Sequence, residues 1–204
     1  MSTPDVNHPE FWENIYQSEV PPGWELGQPA PPFVSLLMGD SPPPPGRIAI
    51  LGCGTGNEVA LFATHGFEGV GVDFAPSAIQ GAKRRLQNAN LKAELIQRDI
   101  FELPNVYPHH FDYVLEHTCF CAIAPFRRPE YVRMVHTILK PTGLLIALFF
   151  ALPPGGGPPF GTTEKEIRSL FEPAFEISVL HVATDSIARR RGKELFALMM
   201  PRLM

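Results

Sequence analysis

The sequence has few of the features that would place a protein outside the cell or in a membrane. Only three of its 204 residues are cysteines, Cys53, Cys119 and Cys121, too few for the disulfide framework of a small secreted domain. The longest apolar run, residues 144–152, is far shorter than the roughly 20 residues that cross a bilayer. The first residues show neither the basic nor the apolar region of a secretory signal. These observations predict a cytoplasmic protein with no membrane partner.

An excess of positive charge is also lacking. The chain has 17 Lys+Arg against 21 Asp+Glu, for a net charge of −4. Its basic clusters, at residues 83–85, 127–128 and 189–191, are short and scattered. Nucleic-acid-binding domains usually carry a net positive charge arranged as a patch or stripe, so we expect no nucleic-acid partner.

Proline, in contrast, is abundant. The 23 prolines in 204 residues are about twice the usual share of roughly 5%. The 45% hydrophobic content is nevertheless typical of a chain with a folded core. Nine prolines lie in residues 21–45 and four in residues 153–159. Because proline restricts the unfolded chain, we predict two stiffened loops there, both bordering the active site.

From residue 47 onward, short apolar runs alternate with helical patterns. The predicted strands are 47–51, 69–72, 93–97, 111–115, 144–150, 175–182 and 195–200, and the predicted helices are 58–65, 76–90, 130–139 and 164–171. A helix over 11–16 and a helical stretch over 33–38 precede them, and a turn is predicted at residues 140–143. This alternation predicts an α/β fold, a doubly wound and mostly parallel sheet with helices on both faces.

Distinctive residues follow four of the predicted strands. The glycine loop at 52–56 follows the first strand, and Asp73, Asp99 and Glu116 close the next three. In a parallel sheet, ligands bind at the carboxyl ends of the strands. The sequence therefore predicts a ligand site at this edge of the sheet.

The spacing between the glycine loop and Asp73 indicates a nucleoside-bearing cofactor. Asp73 lies 21 residues after Gly52, where an acid can accept hydrogen bonds from ribose hydroxyls. A tight strand–helix turn alone would also explain the glycines. A dinucleotide fits less well, because Asn57 stands where the third glycine of that motif belongs. S-adenosylmethionine (SAM), which has no pyrophosphate, fits better.

Several motifs resemble those of the thiopurine methyltransferase superfamily, and most closely its thiol and halide methyltransferase branch. In chain order they are FWE (11–13), GWELGQP (23–29), LGCGTG (51–56), GVD (71–73), RDIF (98–101), CFCAI (119–123), LKP (139–141) and GPPF (157–160). The glycine loop is common to all SAM-dependent methyltransferases, whereas CAI and GPPF are much more specific. The resemblance spans about residues 10–200.

The resemblance implies a Rossmann-like methyltransferase sheet with an antiparallel strand near the C-terminus. It also implies a division into an N-terminal helical lid with its proline-rich connection, residues 1–45, and a methyltransferase domain, residues 46–204, in one compact unit. Asp73 would hold the ribose, and Asp99 would bracket the adenine. The full set of implied cofactor-binding residues is Trp12, Tyr16, Trp24, Gly52, Gly54, Gly56, Asp73, Phe74, Asp99, Ile100, Phe101 and Glu116.

Aromatic lid residues suit this cofactor, because the face of an indole or phenol ring attracts a cation such as a sulfonium. Ordinary packing of an amphipathic helix against the sheet would also explain Trp12 and Tyr16.

On the acceptor side the match to the family weakens. The halide branch usually has an acid followed by tyrosine after the fourth strand, and this sequence has His117 there. We predict that His117 faces the acceptor and takes a proton from a thiol, although nearby backbone groups would also satisfy a histidine. Arg128 matches a substrate-side arginine of the superfamily, but it would equally be solvated. Cys119 and Cys121 have poor spacing for zinc, and no metal is predicted.

The function that the resemblance implies is SAM-dependent methyl transfer, by direct displacement, to a small soft nucleophile such as a thiol, hydrosulfide, thiocyanate or halide. Two alternatives stay open: a methyltransferase for an oxygen, nitrogen, selenium or tellurium acceptor, and a SAM-binding protein without turnover. The partner is then a small, often anionic acceptor, and we expect a monomer or weak homodimer.

Overall fold

The computed structural model describes residues 5–153 and 155–203. Residues 1–4, 154 and 204, which belong to the predicted lid, proline-rich loop and methyltransferase domain, lie outside that description. The strands are β1 (Arg47–Leu51), β2 (Glu68–Asp73), β3 (Glu94–Gln97), β4 (Phe111–His117), β5 (Leu139–Phe150), β6 (Phe175–Val182) and β7 (Glu194–Pro201). The helices are α1 (Pro9–Tyr16), α2 (Pro31–Met38), α3 (Asn57–Thr64), α4 (Pro76–Asn88), α5 (Arg128–Ile138) and α6 (Glu164–Phe171).

The described strands form one sheet in the order β3-β2-β1-β4-β5-β7-β6. The first five pair in parallel, whereas β7 runs antiparallel to both β5 and β6. The prediction of a mostly parallel α/β sheet with an antiparallel strand near the C-terminus is confirmed.

Two apolar cores cover the faces of the sheet. On one face, α5 contributes Tyr131, Val135 and Ile138, whose spacing of three to four residues places them on one side of the helix. On the other face, Phe33 of α2 and Phe62 of α3 pack together over β1 and β4. Burial on both faces explains why the central strands read as continuous apolar runs.

The elements differ from the sequence prediction in β5 and in the short 3₁₀ helices. The turn predicted at residues 140–143 is wrong as a separate element, because the structure includes these residues in β5. Between the pairs Phe111–Leu139 and Tyr113–Leu144, β5 advances five residues while β4 advances two, so the strand bulges there. A 3₁₀ helix, Ile100–Asn105, begins after Asp99 and was not predicted. Pro104 lies inside it, and because proline lacks the backbone N–H of a regular helix, the segment carries no strong helical signal.

This arrangement positions the site. The carboxyl ends of β1, β2 and β4 lie side by side because these strands are neighbours and parallel. The glycine loop, Asp73 and His117 therefore meet at one edge of the sheet. Within the described residues, the helices are too short or too polar to span a bilayer.

Candidate active site

A cavity of about 470 Å³ opens at the carboxyl edge of the sheet, between the strand ends and the N-terminal segment. A volume of this size is typical of small-molecule sites. Eleven of the fourteen predicted site residues line it: Trp12, Tyr16, Trp24, Gly52, Gly54, Asp73, Phe74, Asp99, Ile100, Phe101 and His117. Gly56, Glu116 and Arg128 do not.

The glycine loop and Asp73 form the floor of the cavity. The Asp73 carboxylate accepts hydrogen bonds from Gly54 N at 3.0 Å and from Ala75 N at 2.9 Å. Burial raises the pKa of Asp73 to about 6, although these backbone bonds act in the opposite direction. Asp73 is thus mostly ionised at neutral pH, and it is ready to accept hydrogen bonds from hydroxyl groups.

Gly56 lies behind the loop and not in the cavity. Its φ is +82°, and a Cβ at this position would come within 2.9 Å of Ala82 Cβ on α4. The glycine is needed for the left-handed turn and for the close packing of α3 on α4. The prediction that it contacts the cofactor does not fit this position.

Asp99 and the residues after it form a second wall. The Asp99 side chain accepts a hydrogen bond from Phe101 N at 3.0 Å and thereby caps the 3₁₀ helix. The Arg127 guanidinium lies 3.6 Å from the centre of the Phe101 ring, and two hydrogen bonds to Glu130 hold it there. Ile100 and Phe101 therefore present a fixed apolar surface to the cavity.

Three aromatic side chains form the wall opposite the sheet. The Trp24 ring lies 5.5 Å from Trp12 and 6.1 Å from Tyr16, and Trp24 Nε1 donates to the Tyr16 hydroxyl. Trp12 also packs against Ala75 and Ala78 at the start of α4. The two interpretations of Trp12 are therefore compatible, because the same ring packs a helix and faces the cavity.

Two carboxylates attach this N-terminal segment to the sheet domain. Glu13 of α1 accepts hydrogen bonds from Ser77 N and Oγ at the start of α4. Glu25 accepts from Thr55 Oγ1 and from Asn57 Nδ2 beside the glycine loop. Burial raises the pKa of Glu25, but its hydrogen bonds outweigh that effect and hold the pKa below its ordinary value. Both carboxylates are missing from the sequence prediction.

Glu116 is fully buried beneath the cavity. Its carboxyl group accepts from the Tyr131 hydroxyl at 2.6 Å and from Phe120 N at 2.8 Å, and burial raises its pKa to about 7. It shapes the turn after β4, and it is too deep to touch a ligand. The prediction of a cofactor contact does not fit this position.

Arg128 is also buried, at 1% exposure, and does not reach the cavity. Its guanidinium donates to the carbonyl oxygens of Gly161 and Phe160, pairs with Glu166 at 2.6 Å, and lies over the Phe120 ring. Neither a solvated arginine nor a direct substrate contact fits this geometry. Arg128 instead anchors the chain next to Pro158 and Pro159, which line the cavity.

His117 lies in the cavity wall, as predicted, but both ring nitrogens are engaged. Nδ1 lies 3.1 Å from Glu58 Oε1, and Nε2 lies 3.0 Å from Arg190 Nη1. Arg190 also bonds to Glu194 Oε1 at 3.0 Å. A proton-accepting role for His117 does not fit this geometry, and its partners are side chains rather than backbone groups.

Arg190, Glu58 and Glu194 are functional candidates that the sequence analysis missed. The only available signal was the basic cluster at 189–191, which was weighed as a nucleic-acid feature. Arg190 and Glu194 are four residues apart, but Glu58 lies on α3, so no local pattern connects the pair to it.

The three cysteines are free thiols near the site. Burial raises the pKa of Cys121 to about 12 and that of Cys53 and Cys119 well above its ordinary value. They are therefore protonated and unreactive at neutral pH. Within residues 5–153 and 155–203, no three His, Cys, Asp or Glu side chains are grouped so that they could hold a metal ion.

Comparison with known proteins identifies similar chains. The family described as thiopurine S-methyltransferase matches residues 7–200. The chain is 32% identical over 189 residues to thiocyanate methyltransferase 1 of Brassica oleracea, an alignment that covers 90% of this chain and 81% of the relative. It is 27% identical over 175 residues to the 2-heptyl-1-hydroxyquinolin-4(1H)-one methyltransferase of Mycobacteroides abscessus, covering 80% of this chain and 75% of that one.

Solved structures share the fold. A structure from work on the conversion of a disulfide bond into a thioacetal group during echinomycin biosynthesis has a TM-score of 0.77 at 19% identity, covering 96% of this chain and 93% of its own. A TehB-like SAM-dependent methyltransferase from Corynebacterium glutamicum has a TM-score of 0.62 at 20% identity, covering 78% and 83% of the two chains.

Proposed function

The chain belongs to the thiopurine S-methyltransferase family, and from this premise we propose that it transfers a methyl group from SAM to a small soft nucleophile. The acceptors that we propose are thiocyanate, hydrosulfide, small thiols and halides. Relatives named thiocyanate methyltransferase and probable thiol methyltransferase, at 30–32% identity, support this class of acceptor.

The residues of the cavity fit SAM. The cofactor, when bound, supplies a methyl group on a cationic sulfur. The buried Asp73 carboxylate is an acceptor for ribose hydroxyls, and Ile100 and Phe101 offer an apolar surface for adenine. The rings of Tyr16 and Trp24 attract a cation and exclude water. The cofactor-binding residues of the proposal are those that line the cavity: Trp12, Tyr16, Trp24, Gly52, Gly54, Asp73, Phe74, Asp99, Ile100 and Phe101.

His117, Cys121 and Arg190 line the end of the cavity that we call the acceptor end. This end carries the argument for a soft nucleophile. Its wall contains the Arg190 guanidinium, the Glu58 carboxyl group and protonated thiols, and His117 has no free nitrogen. Oxygen and nitrogen acceptors normally need a base, whereas thiocyanate, a thiolate or iodide needs only positioning and removal of water. A guanidinium beside a histidine that has no free nitrogen therefore favours acceptors that arrive as anions.

The N-terminal residues 1–45 are proposed as a lid over residues 46–204. Glu13 and Glu25 supply polar contacts that can close and release the part of this segment before α2, while Phe33 of α2 stays in the core. Closure of such a segment excludes water from the reaction. We also propose a cytoplasmic location, for which free cysteines are typical, and a monomer or weak homodimer.

One assay tests the function. The protein is incubated with SAM and, in parallel, with thiocyanate, iodide, hydrogen sulfide and small thiols, and S-adenosylhomocysteine is measured. Product with at least one of these acceptors is expected. Asp73→Asn is the control for cofactor dependence. Tight SAM binding without product from any acceptor would contradict the proposal and favour a SAM-binding protein without turnover.

A further inference from the structure

Four charged or titratable side chains meet at the acceptor end of the cavity. Glu58 lies on α3, His117 ends β4, Arg190 precedes β7 and Glu194 begins it. All four are buried or nearly so, with side-chain exposures of 10%, 8%, 5% and 2%. Burying so many charged groups is costly unless each has a partner, so the arrangement of their hydrogen bonds is informative.

The proton positions follow from the chemistry of the partners. The guanidinium of Arg190 can only donate, so His117 Nε2 must accept the 3.0 Å bond. Glu58 Oε1 also accepts a hydrogen bond from Ala30 N at 3.1 Å, which favours the ionised carboxylate. Glu58 is therefore an ionised acceptor, and His117 Nδ1–H donates to it at 3.1 Å. The ring is neutral, with its proton on Nδ1.

Arg190 retains donors for a ligand. Its two Nη1 hydrogens go to His117 and Glu194, and one Nη2 hydrogen goes to the Trp24 carbonyl oxygen. Nε–H and the second Nη2–H have no partner in the part of the chain that the structure describes. The guanidinium also lies 5.2 Å from the centre of the Phe150 ring and lines the cavity. It is a buried guanidinium, paired with Glu194 and held from three sides, with two donors left.

We propose that Arg190 binds the methyl acceptor as a preformed anion, and that His117 and Glu58 are positioning residues that hold this guanidinium in place. This inference rests on the proposed function and specifies its substrate class as small monoanions. The acceptor gives an electron pair to the methyl carbon, and the carbon–sulfonium bond breaks with its pair retained by the departing sulfur. The anion becomes a neutral methylated product, and no proton moves within the site.

Acceptors that carry no proton, such as thiocyanate and iodide, distinguish a positioning role of His117 from the role of a base. If His117 were a base, His117→Phe would slow turnover with a thiol and leave thiocyanate and iodide unaffected. A positioning residue predicts the same loss for all three, about tenfold or more in kcat/KM and mainly in KM for the acceptor. His117→Gln, whose amide oxygen can accept from Arg190, is expected to restore part of the loss. His110→Phe, at an exposed histidine outside the cavity, is the matched control.

A loss confined to the thiol would overturn the proposal, as would full activity of His117→Phe with all three acceptors. The pH profile of the wild type gives a second comparison. With a series of thiols of different acidity, the rise of kcat/KM with pH is expected to follow the ionisation of each thiol. A rise at one common pH for every thiol would overturn the proposal.

Nuclear magnetic resonance of the wild type is independent of both turnover and the folding of a variant. The ring ¹⁵N shifts of His117 are expected to show a neutral ring with hydrogen on Nδ1, and a doubly protonated ring or hydrogen on Nε2 at neutral pH would overturn the proposal. Thiocyanate is also titrated in the presence of S-adenosylhomocysteine. Tighter binding to the wild type than to Arg190→Gln supports the proposal even if the methyl-transfer assay is negative, and equal binding to both overturns it.

Discussion

Asp73 Oδ2 accepts a hydrogen bond from Gly54 N at 3.0 Å, which joins the end of β2 to the glycine loop after β1. This contact orients the carboxylate towards the cavity while burial raises its pKa to about 6. One group thus organises the cofactor end of the site and also makes it sensitive to pH.

SAM affinity is expected to fall as pH drops through 6. Only the ionised Asp73 accepts two ribose hydroxyl bonds, and one pH unit below the pKa about a tenth of the carboxylates are ionised. Isothermal titration calorimetry should give a Kd about tenfold weaker at pH 5 than at pH 8. Asp73→Asn should bind weakly at both values, without this slope. If the SAM affinity of the variant depended on pH in the same way, the pH dependence would belong to a group other than Asp73.

Glu116 is expected to make the fold less stable as pH rises. Burial raises its pKa in the folded state from the ordinary 4.5 to about 7. The stability that the protonated carboxyl group contributes is therefore fully present below pH 4.5 and is lost as the pH rises to about 7. Between pH 5 and pH 8 the loss is about 2 kcal/mol in the free energy of unfolding.

Glu116→Gln keeps an acceptor oxygen for Tyr131 or Phe120 N, and it removes the titration. Urea unfolding at pH 5 and pH 8 measures the effect as the difference between wild type and variant. Parallel pH dependence in the two proteins would show that Glu116 does not titrate in this range.

Gly54→Ala is expected to weaken SAM binding. The glycine has a φ of +53°, and a Cβ would lie 3.0 Å from the Tyr16 hydroxyl. The left-handed backbone costs a residue with a Cβ about 1–2 kcal/mol. The close contact with Tyr16 also pushes the N-terminal segment away from the glycine loop. About a tenfold loss of affinity is expected. Gly23→Ala, at a cavity position with open space around it, should bind normally, and equal losses in both variants would refute the steric explanation.

Arg128→Met is expected to destabilise the protein by about 3 kcal/mol. The substitution leaves the Phe160 and Gly161 carbonyl oxygens without their donor and removes the partner of Glu166. Chemical denaturation measures the loss, and kcat/KM for thiocyanate should fall with it because the Pro158–Pro159 wall loosens. Arg133→Met, at an exposed position on the same helix, is the control, with a change within about 0.5 kcal/mol.

Most of the secondary structure and the cofactor end of the site could be predicted from the sequence, because their signals are local. Predicted strands of four or five residues, followed closely by Gly52, Asp73 or Asp99, place these residues at strand ends. Parallel pairing then brings strand ends to one edge whatever the remaining contacts are. The position of Gly56 could not be read from the loop pattern, because the neighbour that it packs against, Ala82, lies on a different helix.

The acceptor end was decided by the tertiary structure. His117, Glu58, Arg190 and Glu194 are brought together by three separate segments, and the direction of each hydrogen bond depends on the charge of its partner. The sequence could show that a histidine stands at the end of the fourth strand, but its freedom to take a proton depends on a guanidinium 73 residues away in the chain. Sequence by itself determined the fold and the cofactor edge through local periodicity and strand-end residues. Only the packing of distant segments decided which nitrogen atoms of the acceptor end are occupied and which remain available.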